Sequence, residues 1–422
     1  MTLGNRAHGK AHRLMLAGAA AALMAVAPGA RAQSYTITNL VNSGENRPDG
    51  IPWYVFGPPS IDGTNIVFLT ANAQVFATLD GIWGIDTSKS LTPVQLAGLT
   101  TPVPGGSGNF TGFGIPGNST PTIANGTAVF YGEDSSGLPG IFAMPAGGGT
   151  ISKIVTTATA APDGGTFTQV GSATTNGKLV AFYGQTSAGH SGIYQSSTTG
   201  HGLKTLINNT TTLAARDGGD VPCPGNEGLD PNYFGAYTSP VASKSRVSFF
   251  ATGIGDPSLY PNAIFDAVKT IYNNTADNCS SLTGDTNPNH VQITGYSADR
   301  LSNVVAFAAH DGSYAGIFAT TGSNMKLERA YATTSTAVPG AGDDFTSFSG
   351  FALDKSGLGF VGNDATNGYS LYITAAARRP ISVVALASQY GNIVLGDRSV
   401  SQGRMVFYTG SIFSNAIWLA AP

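Results

Sequence analysis

Three histidines and four aspartates are the residues of this chain best suited to chemistry. His190 and His310 fall in short segments between two apolar runs, His290 falls in the segment leading into the next such pair, and Asp134, Asp256, Asp311 and Asp364 occupy hairpins of the same kind. Beyond residue 32 there is only one other histidine, His201. An imidazole beside a carboxylate can pass a proton near neutral pH, and a larger set of such groups can hold a metal ion. The plainer reading is that loop tips are polar because they face water. Both readings make the same seven residues the candidate ligand face.

Other chemical signatures are weak. Gly112-Phe113-Gly114-Ile115-Pro116-Gly117 has the glycine spacing of a dinucleotide loop, but no βαβ unit surrounds it and Pro116 bars the helix start a pyrophosphate would need. Gly189-His190-Ser191-Gly192 superficially matches a nucleophile elbow, yet it precedes a strand rather than joining a strand to a helix. Asp217-Gly218-Gly219-Asp220 and Gly342-Asp343-Asp344 offer oxygens without a recognised calcium spacing, so no tight metal site and no cofactor are expected. Trp53 and Tyr54 are adjacent on a strand and point to opposite faces, which leaves one of them free to stack on a ligand.

What must position these groups is a repeat. A strand phenylalanine recurs as Phe68, Phe130, Phe182, Phe249, Phe307, Phe360 and Phe407, shortly after a turn of Gly, Asn, Ser or Lys. A small residue, a branched aliphatic and an aromatic follow, as in Ile82-Trp83, Ile141-Phe142, Ile193-Tyr194, Ile264-Phe265, Ile317-Phe318, Leu371-Tyr372 and Ile417-Trp418. Units of 47 to 67 residues suit a four-stranded propeller blade. Pro-Asp-Gly and Pro-Gly-Gly turns lead into the innermost strands at Trp53, Phe110 and Phe167, and Val338-Pro339-Gly340 leads into that at Phe345, with Pro fixing φ and Gly supplying positive φ. The seventh unit stops at Pro422 without an outer strand, whereas Tyr35 to Val41 is an outer-type strand with no unit before it. The expectation is an all-β, seven-bladed β-propeller of four-stranded antiparallel blades closed by the N-terminal strand. Six and eight blades are the alternative counts, because the fourth unit is long and irregular.

Composition agrees with this architecture. Only 11% of residues are charged and 56 of 422 are Gly, which fits many short strands and tight turns. Residues 1–32 read as a signal peptide, with Arg6, Lys10 and Arg13, an apolar run from Leu14 to Ala27, and Ala30-Arg31-Ala32 as the cleavage signal. Residues 33–422 then form a single domain, secreted or periplasmic, with no second apolar run long enough to span a bilayer. That domain carries 17 basic and 24 acidic residues, a formal charge of −7, which argues against a nucleic-acid partner. Cys223 and Cys279 occupy the two longest linkers at equivalent places, and an oxidising compartment favours a disulfide between them.

The copies Asn125-Gly126 to Phe130, Asn176-Gly177 to Phe182, Asn303 to Phe307 and Asp354 to Phe360 resemble the secreted bacterial proteins built of tandem repeats with an Asn-x-x-Gly-x-x-Ala-Phe-like strand. The resemblance implies a propeller-like fold outside the cell, and it carries no catalytic residues. Two functions remain open at this level. One is an exported binding or scaffold propeller without catalysis, with a glycan or protein ligand; the other is a secreted hydrolase or lyase acting on an extracellular polymer at the histidine-bearing face.

Overall fold

Each repeat phenylalanine lies directly across from its partner aromatic on the next strand. The antiparallel registers pair Phe68 with Trp83, Phe130 with Phe142, Phe182 with Tyr194, Phe249 with Phe265, Phe307 with Phe318, Phe360 with Tyr372 and Phe407 with Trp418. Directly opposed side chains share one face of a sheet. The rings of Phe182 and Tyr194 accordingly stack at 5.8 Å and those of Phe360 and Tyr372 at 5.7 Å. A third aromatic from the lead-in turn meets this pair edge-on: Trp53 on Trp83, Phe110 on Phe142, Phe167 on Tyr194 and Phe345 on Tyr372, at 4.8 to 5.0 Å. Edge-to-face contact suits the ring quadrupoles. Trp53 is therefore core, only 4% exposed, and not the stacking platform that its neighbourhood suggested.

The computed structural model describes residues 34–422 apart from 72–78, 107, 115–119, 212–232, 238–239, 255–262, 267–268, 274–290, 299–303, 312–313, 322–325, 376–378 and 412–413. Within them are seven antiparallel sheets and one short helix, Ala387–Tyr390. Sheet 1 is Val55–Asp62, Asn65–Ala71, Leu79–Asp86 and Val94–Gly98. Sheet 2 splits its first strand into Phe110–Phe113 and Thr122–Ala124, then runs through Thr127–Asp134, Pro139–Pro145 and Ser152–Thr156. Sheet 3 is Phe167–Thr175, Leu179–Thr186, Ser191–Ser197 and Lys204–Asn208. Sheet 4 comprises Tyr233–Tyr237 with Val241–Ala242, then Val247–Ile254, Ala263–Asp266 and Lys269–Asn273. Sheets 5 and 6 are regular, with first strands Val291–Ala298 and Ser347–Asp354 and outer strands Lys326–Thr333 and Ile381–Ala385.

Sheet 7 closes the ring. It contains Ile393–Val394 and Val400–Ser401, Arg404–Ser411, Ser414–Ala421, and as its outer strand the N-terminal Thr36–Asn42. Thr36 pairs with Ala421 and Asn42 with Ala416. Consecutive sheets pack on each other, and sheet 1 packs on sheet 7. Apolar clusters fill six of those seams among the described residues; one unites Phe68 and Trp83 of sheet 1 with Val406, Ile417 and Leu419 of sheet 7. A closed ring of antiparallel four-stranded sheets joined this way is a β-propeller, which leaves only short protected edges.

Every outer strand carries a bulge at one fixed place, opposite the aliphatic–aromatic pair. The extra residue is Leu96, Ile154, Leu206, Ile271, Tyr331, Val384 and, in the N-terminal strand, Leu40. A bulge of this kind increases local twist. The N-terminal strand thus reproduces the outer-strand pattern down to its irregularity. The small residue before the pair is also explained: a Cβ on Gly192 would fall on the Ile207 carbonyl and one on Gly140 would meet the Val155 carbonyl.

An Asn or Asp at the first turn of four units, and a Ser in the seventh, bind neighbouring sheets together. Asp62 accepts from the Gly126 N–H (2.9 Å), Asn125 donates to the Asn176 carbonyl (2.6 Å), and Asn176 donates to the Ser243 carbonyl (2.8 Å). Farther round, Asp354 accepts from the Gln402 N–H (2.6 Å) and Ser401 from the Gly63 N–H (2.9 Å). Asn125 adopts φ of 46°, which Asn tolerates better than most residues. The polar residue of the repeat motif is therefore a clip to the neighbouring sheet.

Candidate functional site

A hairpin that reverses within four residues leaves backbone N–H groups without strand partners, and a short acid at the strand end can accept them. That is the task of two of the candidate acids. Asp134 and Asp364 end the second strands of sheets 2 and 6 and are buried, not presented to solvent. Asp134 accepts from the N–H groups of Ser136 and Leu138 at 2.9 and 3.0 Å. Asp364 accepts from those of Thr366 and Asn367 at 2.9 and 2.6 Å, and its other oxygen accepts from the Tyr372 hydroxyl at 2.9 Å. Burial first, and then Asp364, push the Tyr372 phenol well above its ordinary range. Tyr194 is raised in the same way by burial and by Asp163, which accepts its hydroxyl at 2.9 Å.

His190 lies in the corresponding hairpin of sheet 3, half-buried, where its backbone N–H donates to the Thr186 hydroxyl at 3.2 Å. His310 and Asp311 are the last two residues of the strand Val305–Asp311, opposite Gln292 and Val291, so they belong to the sheet and not to a loop tip. His190, Asp134 and Asp364 belong to three different sheets, and none hydrogen-bonds another. His290, Asp256, Cys223, Cys279, Asp217 and Asp220 lie outside the described residues. Among the described residues there is no group of three His, Cys, Asp or Glu placed to hold a metal ion, and no helix is long and apolar enough to cross a membrane.

The middle of the ring is occupied by a feature that sequence reading missed. In sheet 7 the first strand breaks between Val394 and Val400, and the intervening segment reaches sheets on both sides. The Arg398 carbonyl accepts from the Ile61 N–H of sheet 1 (2.9 Å), while its guanidinium donates to the Thr174 hydroxyl of sheet 3 (3.0 Å) and the Ala242 carbonyl of sheet 4 (2.6 Å). Ser297 of sheet 5 donates to the Asp397 carbonyl (3.0 Å), and Ser399 donates to the Pro59 carbonyl (2.9 Å). One residue of sheet 7 can touch the first strands of sheets 1, 3 and 4 only by crossing the axis. Arg398 is 3% exposed there.

Around this strap the first strands carry a recurring hydroxyl: Ser60, Thr122, Thr174, Ser297 and Ser399 all stand opposite the residue before the repeat phenylalanine, or its neighbour in the broken strand. Ser60 accepts from the Ile123 N–H (3.3 Å) and Ser297 from the Leu353 N–H (3.3 Å), each in the next sheet. The faint signal available in the sequence was this small hydroxyl and a lone Arg in the irregular lead-in of the last unit.

A second unforeseen group lies under the first lead-in turn. Three such turns bury an aliphatic at one position, as Val103, Ala161 and Val338; the first turn has Arg47 there, with the same backbone bonds. Arg47 donates to both oxygens of Asp80 at 2.9 Å, to the Thr70 hydroxyl at 3.3 Å and to Asp49, with its guanidinium 5.5 Å from the Trp83 ring centre. This cluster is closed and satisfied, a structural substitute for an apolar plug. At the rim, an open cleft of about 490 Å³ runs between the outer strands of sheets 5 and 6, lined by Tyr331, Pro339, Arg379 and Ile381 among others.

No known family profile and no curated protein matches the chain. Solved structures are similar in fold at low identity. The β-propeller domain of the Trilobed protease from Pyrococcus furiosus is 10% identical with a TM-score of 0.40, over 78% of this chain and 97% of that one. Sqt1 of Saccharomyces cerevisiae is 11% identical with a TM-score of 0.37, over 92% and 98%. A puromycin-hydrolysing peptidase of Mycobacterium tuberculosis is 11% identical with a TM-score of 0.40, over 85% of this chain and 50% of that one, so the chain spans about half the length of that peptidase.

Proposed function

We propose that the chain is an exported propeller of seven blades that binds or scaffolds an extracellular glycan or protein without catalysis of its own. The observation that supports this reading is the filled axis. A propeller enzyme places converging acids and bases at an axial pocket, whereas here the Leu395–Ser399 strap crosses the axis and Asp134 and Asp364 spend their oxygens on their own hairpins. The strap joins the first strands near their first-turn ends, so a ligand on the axis would approach from the opposite face, that of the second hairpins and His190. Export rests on residues 1–32, and the charge of −7 beyond them disfavours nucleic acid.

The test uses purified residues 33–422 against immobilised extracellular polysaccharides and proteins, with retention and released products measured on the same samples. Retention without product accumulation is expected. Product release that tracks protein concentration and is lost in a His190→Ala or Asp311→Asn variant would replace this reading with the hydrolase or lyase one.

A further inference from the structure

The ring is closed in two places that belong to the same sheet. At the rim, Thr36–Asn42 completes sheet 7 by pairing with Ser414–Ala421. At the axis, the broken first strand of sheet 7 sends Leu395–Ser399 across to the first strands of other sheets. These contacts do not duplicate the rim. Arg398 bonds sheets 1, 3 and 4, Asp397 bonds sheet 5, and the Leu395 carbonyl lies where a Cβ on Gly350 of sheet 6 would fall. The Ser399 hydroxyl holds the strap's own turn by accepting from the Gly396 N–H at 2.9 Å while donating to Pro59.

We infer that the Leu395–Ser399 strap is an axial clasp that keeps the ring closed independently of the N-terminal strand. The physical argument is that a ring of sheets opens by separating one seam, and a seam separates only if every bond across it breaks together. Removing Thr36–Asn42 deletes the outer strand of sheet 7 with Leu40 and Val41, but leaves sheets 1, 3, 4 and 5 joined through the axis. Removing the Arg398 guanidinium leaves the rim closed and releases sheets 3 and 4 from the centre. Arg suits this place because its planar fork can donate to two acceptors on different sheets at once. The clasp is independent of what the protein binds.

Four forms of the mature chain test it: residues 33–422, residues 43–422, Arg398→Met in the full mature chain, and the two changes combined. Small-angle scattering reads ring opening, and amide hydrogen exchange reads the seams. The 43–422 chain should keep the radius of gyration of the mature chain and slow exchange at Ala242 and Leu353. Arg398→Met should speed exchange in residues 241–249 by roughly tenfold or more while the Thr36–Asn42 pairing stays protected. Only the combined change should expand the ring. If 43–422 expands by itself, or if Arg398→Met leaves exchange in sheet 4 unchanged, the clasp is wrong. Should Arg398→Met fail to accumulate as folded protein, Ser297→Ala serves as the milder probe. It deletes the bond to Asp397 and, separately, the acceptor for Leu353, so the readout is the Ile61 N–H, which is bonded to the strap's Arg398 carbonyl: faster exchange at Ile61 supports the clasp and no change there contradicts it.

Discussion

Replacing Arg47 by valine while Asp80 remains should be among the most damaging single changes in the first sheet. The two side chains are 2% and 6% exposed and share two bonds of 2.9 Å, so the substitution leaves a buried carboxylate whose remaining side-chain partner among the described residues is the Thr70 hydroxyl at 2.8 Å. Stranding one member of a buried ion pair costs about 3–5 kcal/mol. Asp80→Ala should cost less, about 2 kcal/mol, because Asp49 still accepts from the guanidinium and Trp83 lies beneath it. The double change is the informative one. Val103, Ala161 and Val338 fill the same position in sister turns, so Arg47→Val with Asp80→Ala restores an apolar plug the fold already uses. It should return to within about 1 kcal/mol of the parent. Urea unfolding of residues 33–422 reads this as a shift of midpoint at constant slope. A single Arg47→Val within about 1 kcal/mol of the parent, or a double variant no better than that single, would refute the reasoning.

Three further outcomes follow from other parts of the ring. Asn176→Ala removes a clip that accepts from the Lys178 and Leu179 N–H groups and donates to Ser243, and should cost about 2–4 kcal/mol in the same urea assay; a loss below about 1 kcal/mol would mean the repeat Asn is not a clip. Tyr131, Tyr194 and Tyr372 are raised by burial and by Glu133, Asp163 and Asp364 respectively, so their stabilisation is complete below the ordinary tyrosine range and is lost as pH climbs through it, when only the unfolded phenols ionise. The urea midpoint should therefore fall above about pH 10, less steeply in Tyr194→Phe, and a midpoint independent of pH there would contradict the burial argument. Non-reducing mass analysis of exported protein should find Cys223 joined to Cys279; two free thiols would remove that pairing.

The parts of this fold legible in sequence are those that repeat. Phe182 and Ile193-Tyr194 could be recognised because seven copies share their spacing, and the missing outer strand of the last unit pointed to Thr36–Asn42. Single-copy features had nothing to amplify them. Arg398 reads as an ordinary surface cation until the broken strand carries it to the axis, and Arg47 reads as a loop charge until its backbone bonds prove the same as those of Val103. The bulges at Leu40 and its six counterparts leave no local signature, since an extra apolar residue in a short strand changes register without changing composition. Asp134 and Asp364 were expected at solvent-facing tips because acids in hairpins usually are; the need of the turn N–H groups for an acceptor draws them inside instead.

The most direct test of the account is the turnover number of residues 33–422 on whichever extracellular polymer or protein it retains most strongly. Retention with product formation at the level of a protein-free control, unchanged by His190→Ala, is the predicted result. Saturable product formation that disappears in that variant, while binding persists, would contradict a propeller that only binds.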